Sequence, residues 1–365
     1  MSFTINFWHT CARVFTQAAV HHLAMPASSS HAVDRASPAV WLRSVHTHDA
    51  SEQARAQEGW HLQYEQISPG AFSGQLDLLQ LPGLSLIHES ANQSIRQQGD
   101  LSQDSCLFAF VAHPEGAHAM YAGQCAASNQ VLVGNGSDLD LLCPSGFTLT
   151  GLVVDTDLLL SLWQQTRTSL APPWLHQRNV LSLPPEQCQA MQERLRHIFS
   201  EAQIANGWAE DAKAARLLDL RDQLLLAWLD LMAYPMAYPT DMPSTSSLQE
   251  RKQIVDKACA LMVELKEGVP LSLIDICRLV GVSHRKLSYC FQEMLGISPM
   301  RYQRTARLNR VRWSLQRAHH GESVQDIAMH WGFWHMGQFG QDYKRHFGET
   351  PSMTLRAGAE HMAVG

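Results

Sequence analysis

The chain has 365 residues, 45% of them hydrophobic and 17% charged, and a formal net charge of −6. That length suits two or three domains with real cores. It holds no run of about 18 uncharged apolar residues, which excludes a membrane-spanning helix, and its eight cysteines are scattered without a CxxC pair, which excludes a zinc or disulfide framework. Free, buried thiols in a reducing cytoplasm are therefore expected.

The opening 27 residues lack a basic start, and Arg13, His21 and His22 interrupt their apolar stretch, which argues against an export signal; Met25 is an alternative start. Residues 1–44 read as an irregular arm, and the polar, His-rich texture runs on to residue 48. Asp49 is placed to cap a short helix over 50–59. From 72 to 154, apolar runs at 76–81, 84–88, 107–111, 130–133, 139–142 and 147–153 alternate with turn clusters such as Pro82-Gly83 and Gly134-Asn135-Gly136. That spacing predicts a small antiparallel barrel or sandwich.

Pro184-Pro185 opens a helix with Met191, Leu195, Ile198, Phe199 and Ala202 on one face. A second helix, over 209–233, aligns Leu217, Leu220, Leu224 and Leu231, a stripe that serves either the core or a homodimer seam. Thus 45–233 reads as one front domain, with dimerisation through that stripe as the alternative to core packing. Pro235, Pro239 and Pro243 mark 234–247 as a linker. The overall class is α+β, with an all-α carboxyl-terminal domain over 248–357.

That last segment is basic, with 16 Lys/Arg against 10 Asp/Glu, while the chain before it carries 12 against 23. A basic end on an acidic body is expected where one domain alone meets phosphate. The segment also repeats itself. Ser272, Asp275, Ile276 and Gly281 recur as Ser323, Asp326, Ile327 and Gly332, 51 residues on; Gly296 and Pro299 recur as Gly348 and Pro351, 52 residues on. Ser272 caps a helix whose buried face is Ile276, Leu279 and Val280, and Gly281 ends it. Ser283 starts the next, with Leu287, Phe291 and Leu295 inward and Arg285, Lys286, Ser288 and Tyr289 outward. Two helices joined by a short Gly-containing turn make a helix-turn-helix, and two copies predict binding to double-stranded DNA. Between them lies a long helix with six arginines, of which Arg301 and Arg304 are phosphate candidates and Leu308, Val311 and Leu315 the packing face.

The tandem units and their GxxP stops, Gly296-Ile297-Ser298-Pro299 and Gly348-Glu349-Thr350-Pro351, resemble the AraC/XylS family of bacterial transcription regulators. More narrowly, Trp331-Gly332-Phe333-Trp334-His335-Met336-Gly337-Gln338-Phe339 and the segment from Gln66 to Gly74 are similar to regulators of ethanolamine-utilisation operons. The resemblance implies a cytoplasmic activator whose front domain binds a small-molecule effector, with RNA polymerase as a partner. For the narrower group the effectors are ethanolamine and adenosylcobalamin; the Asp-x-His-x-x-Gly cobalamin motif is absent, though such a regulator is not expected to use it. DNA contacts fall on Ser283, His284, Arg285, Lys286, Ser288 and Tyr289 in the first unit, and on His335, Met336, Gly337 and Gln341 in the second. Arg285 suits guanine and Gln341 adenine. Lys344 and Arg345 suit phosphate, and the small Gly337 and Gly340 make the second unit more a positioner than a reader.

One pattern points elsewhere. His46, His48, Glu52 and Gly59 imitate part of a cupin metal motif, which would make the front domain a metalloenzyme. Its leading glycine is Val40, Glu52 falls in a helical stretch, and no second motif supplies another histidine, so no catalytic or metal residue is expected. His88, His113 and His118 read as surface, satisfied core or effector-lining. No P-loop, Rossmann fingerprint or nucleophile elbow occurs.

Overall fold

The computed structural model describes residues 40–102, 104–166, 179–232, 245–266, 269–319 and 321–364. The front half builds two antiparallel sheets. The larger joins β1 (Trp41–Thr47), β3 (Gly74–Leu81), β4 (Leu84–Ala91), β11 (Phe147–Asp155), β6 (Ser105–Ala112), β9 (Gln130–Asn135) and β12 (Asn179–Ser182) in that spatial order. The smaller joins β2 (His61–Gln66), β5 (Ile95–Asp100), β10 (Leu139–Cys143), β7 (Ala119–Tyr121) and β8 (Gln124–Ala126).

Both faces of the larger sheet are covered, and the alternation along β6 shows how. Leu107, Ala109 and Val111 meet Tyr64, Ile95 and Leu141 of the smaller sheet in one core. Cys106, Phe108 and Phe110 face the opposite way, into a core shared with two helices. These are α3 (Pro185–Ile204) and α4 (Glu210–Met232), preceded by α2 (Thr156–Thr166). A strand buried on both faces reads as a continuous apolar run, which is why β6 stands out in the sequence. The architecture is thus a sandwich backed by a helical layer. No barrel closes: β1 and β12 edge one sheet, β2 and β8 the other.

The leucine stripe of α4 is occupied within the chain. Leu217, Leu220, Leu224 and Leu231 lie buried in the same core as Phe108 and Phe110, with Trp228 against both rings. It offers no homodimer seam. The expected arm is also shorter than its composition indicates: Trp41, Leu42 and Val45 pair with β3 from Gln80 to Leu76, so 41–44 belong to the sheet. The rest of that arm lies outside the described residues. Asp49 does cap a helix, α1 (Ala50–Arg55), by accepting from the amides of Ser51 and Glu52.

Most of the expected linker lies outside the described residues; α5 (Thr245–Met262) begins within it. A small hairpin, β13 (Leu265–Lys266) with β14 (Val269–Pro270), leads to six further helices. They are α6 (Leu273–Val280), α7 (His284–Leu295), α8 (Pro299–Gln316), α9 (Val324–His330), α10 (Met336–Phe347) and α11 (Pro351–Val364). They pack with the sheets as one unit, Ala39–Gly365. Among the described residues no helix is long and apolar enough to cross a membrane.

Candidate nucleic-acid interface

Each half of the repeat is framed by the caps its sequence carries. Ser272 accepts from the Asp275 amide at 3.2 Å, and its hydroxyl donates to the Asp275 carboxylate. Ser323 and Asp326 repeat this arrangement at 3.1 Å. Gly281 ends α6 in the left-handed region, where its N–H reaches Cys277 O and any other residue would be strained. Ser283 then caps α7 by accepting from Lys286 N, so three residues turn the chain between helices. In the second unit five residues intervene, and His335 occupies the cap position without a side-chain bond.

Inward, Leu287, Phe291 and Leu295 fill the core of the first unit and Phe339, Tyr343 and Phe347 that of the second. The α6 face differs from expectation: Ile276 and Cys277 are buried, but Leu279 is 51% exposed. A two-turn helix has room for one narrow contact stripe: Leu273, Ile276, Cys277 and Val280 form it, as expected for Ile276 and Val280, and Leu279 falls outside it. Helix α8 belongs to both units. Tyr302 and Ala306 sit in the first core, Leu308, Val311 and Leu315 in the second. One continuous helix embedded in both cores fixes the spacing of α7 and α10.

Outward, the sequence-assigned residues are exposed or half-buried. Ser283, His284, Arg285 and Tyr289 are exposed on α7, with Lys286 and Ser288 partly so. On the second unit His335, Gly337, Gln341, Lys344 and Arg345 are exposed and Met336 partly so; Arg301 and Arg304 are exposed on α8. Several cations are already oriented. Asp342, 2% exposed, holds Arg304 from α8 and Arg345 from its own helix. Lys286 lies 3.4 Å from Glu250, and the Tyr289 hydroxyl accepts from Arg251. Among the described residues Arg285 has no such partner. Of the five arginines within α8, Arg312 is turned inward: it is buried, pairs with Asp49 and Glu349, and lies over the Phe347 ring, while Arg317 caps the helix end. Gln338, unassigned from sequence, is exposed on the same face and donates to Asp342.

Residues 276–357 match the family model of the helix-turn-helix domain. Residues 276–357 form a helix-turn-helix domain of the AraC type. Over 88 residues the chain is 44% identical to a probable thc operon regulatory protein of Rhodococcus erythropolis, covering 24% of this chain and 26% of that one. It is 34% identical over 94 residues to a XylDLEGF operon transcriptional activator of Pseudomonas putida, covering 26% and 29%. An AraC-type DNA-binding domain structure from Chromobacterium violaceum is 34% identical, with 29% of this chain and 93% of that one covered and a TM-score of 0.27. The chain thus spans about a quarter of the length of the curated relatives it matches.

The AraC-type domain is clasped by the front sheets, a feature sequence reasoning missed. The Gln66–Gly74 segment supplies the clasp. Gln66 Nε2 and Gly70 N both donate to the carbonyl of His346, at 2.7 and 3.0 Å, satisfying a carbonyl at the end of α10. The His346 ring donates back to Gln66 O, which fixes the proton on Nε2 because a carbonyl can only accept. Asn309 closes the set, accepting from Gln66 N and donating to Gln66 O. Burial pushes the His346 imidazole down to about 4, so it is neutral at pH 7.

A second contact centres on Arg96 of β5, which is 1% exposed. It grips Asp140 with two nitrogens and reaches Tyr302 of α8 at 3.0 Å and Asp256 of α5 at 3.3 Å. Burial alone would lower its pKa; the Asp140 carboxylate, with Tyr302 and Cys259 accepting hydrogen bonds, raises it instead. Beside this contact opens a cavity of about 570 Å³, lined from the sheets by His118, Met120, Leu142 and Pro144 and from the helices by Arg251 of α5 and Met294 of α7. That volume suits a drug-sized ligand. His118 is thus a lining residue, whereas His88 bonds Thr150 and His113 packs on His118.

The cupin-like residues do not converge. His46 and His48 are exposed, and Glu52 accepts the His48 backbone N–H within α1. Among the described residues no group of three His, Cys, Asp or Glu side chains is placed to hold a metal.

Proposed function

We propose that this protein is a sequence-specific transcription regulator, most simply an activator, whose two helix-turn-helix units read one DNA site together. The observation that carries this reading is α8, rooted in both cores with a recognition helix on each side. Two rods held at fixed spacing can enter successive major grooves, which an unrelated helical hairpin would not require. Arg285 carries the base reading of the first unit. Arg285→Ala weakens specific binding by about 1–3 kcal/mol and leaves binding to random DNA nearly intact. A gel-shift titration with equal loss on both DNAs refutes that role.

The clasped front half is the regulatory part, and the cavity beside Arg96 is the seat of a small effector. A ligand there touches both halves and biases their docking. RNA polymerase and a chromosomal, hence cytoplasmic, target complete the reading. Ethanolamine fits within the cavity; adenosylcobalamin is far bulkier and would need another surface. Thermal melting with ethanolamine and adenosylcobalamin, singly and together, tests this: a ligand of the folded state raises the midpoint by mass action. No shift with either removes the ethanolamine-operon assignment.

A further inference from the structure

We propose that the second unit reads thymine through an apolar tip centred on Trp334, an inference that rests on the DNA-binding reading above. On α7 the outward positions carry hydrogen-bonding readers, Arg285 and Ser288. The corresponding positions on α10 are Gly337 and Gly340, and a Cβ built on either meets nothing within 4 Å. Neither glycine has a positive φ, so neither internal packing nor the backbone calls for them. What α10 offers instead lies at its amino-terminal end. Trp334, just before the cap residue, is 56% exposed, and Met300 of α8, on the same groove, is 70% exposed. The first unit has the smaller Val282 in the place of Trp334.

Large apolar side chains in water at the end of a recognition helix need an apolar partner. On the major-groove edges of base pairs the thymine 5-methyl is the only apolar group. The charge around the tip favours the same occupant. The groove of about 360 Å³ beneath Trp334 is lined by Arg304 and Arg307, which place cations where the phosphates beside such a base would pass. Among the described residues the Trp334 indole has no hydrogen-bond partner, and the ring is 56% exposed. The second unit thus discriminates by shape and methyl contact where the first uses hydrogen bonds.

The test uses the full chain and a duplex enriched by it from a randomised pool. Thymines of each half-site are replaced in turn by deoxyuridine, which removes only the methyl, and affinities are measured for wild type, Trp334→Ala and Arg285→Ala. In one half-site the wild type loses about four-fold per contacted methyl. W334A loses a similar factor on the thymine duplex and is then indifferent to deoxyuridine there, while R285A remains sensitive. Equal sensitivity of wild type and W334A in both half-sites overturns the proposal, as does W334A binding with wild-type affinity. If W334A melts lower than wild type, Trp334→Gln replaces it. The wild type alone also decides: unchanged affinity on a duplex fully substituted with deoxyuridine overturns the proposal whatever the variants do. A pool from which no sequence is enriched fails differently, because it removes the DNA-binding reading itself.

Discussion

His346 makes the clasp sensitive to acid in a calculable way. Its ring is buried at the end of α10, donates to Gln66 O, and faces Arg301, Arg312 and Arg345, whose charges add to the cost of a second cation. The folded pKa is about 4 against an ordinary 6.5. A depressed histidine is neutral in the fold, so its contribution is complete above about 6.5 and fades as pH falls towards 4, because the unfolded chain takes up a proton that the fold refuses. Between pH 7 and pH 5 this costs about 2 kcal/mol from His346 alone. Urea unfolding of wild type and His346→Gln at both pH values isolates it, since every other group titrates alike in the two proteins. The glutamine keeps a donor for Gln66 O and removes the titration. The pH 7 to pH 5 loss should therefore be smaller in the variant by about that amount. Equal losses in the two proteins would refute the argument, and with it the buried, neutral state of the ring.

Three more substitutions probe separate contacts. Asn309→Ala takes its acceptor from the Gln66 amide, leaves the Gln66 carbonyl with the His346 ring alone, and lowers stability by about 1–3 kcal/mol in urea unfolding; an unchanged midpoint means that the clasp is not formed in solution. Gly337→Ala places a Cβ in open space on a helix and raises stability by about 1 kcal/mol, read as a higher melting temperature. Asp49→Ala removes the cap of α1 and strands the buried Arg312, now facing only Glu349, for a loss of about 3–5 kcal/mol. Burial alone would raise the pKa of Asp49, but the Arg312 guanidinium outweighs it and holds it below the usual range. A loss under about 1 kcal/mol would mean that the pair adds nothing beyond a helix cap.

What could be read from the chain depended on how far each signal reaches. The helix-turn-helix units were legible because their grammar is local: Ser272 to Asp275, Gly281, then Ser283 to Lys286 all act within one turn. Strands β3, β4, β6, β9, β10 and β11 were legible because they bury apolar residues. β2 and β5 were not, since Gln66, Arg96 and Gln97 are buried polar residues that imitate a surface. Their partners lie far off: His346 is 280 residues from Gln66, and Tyr302 is 206 from Arg96. No periodicity within one strand encodes such a pairing. The Gln66–Gly74 segment stood out by resemblance, but its role as a clasp needed coordinates. Leu279 was misplaced because helical spacing alone cannot choose between adjacent stripes on a two-turn helix.

The clasp also constrains how any effector acts. A ligand in the cavity beside Arg96 touches residues of the sheets and of α7, so its affinity differs between docked and separated halves. By linkage, that difference is the whole of its regulatory leverage. Arg96, Gln66 and Asn309 already favour docking through buried and part-buried hydrogen bonds. An effector that only filled the cavity would therefore tighten a state the chain already adopts and change DNA binding little. A regulator with a large response needs either weak docking without ligand or a ligand that forces the halves apart. The Asn309→Ala variant separates these cases: with the clasp weakened, an effector that strengthens docking acquires a larger effect on DNA affinity, and one that opposes docking a smaller one.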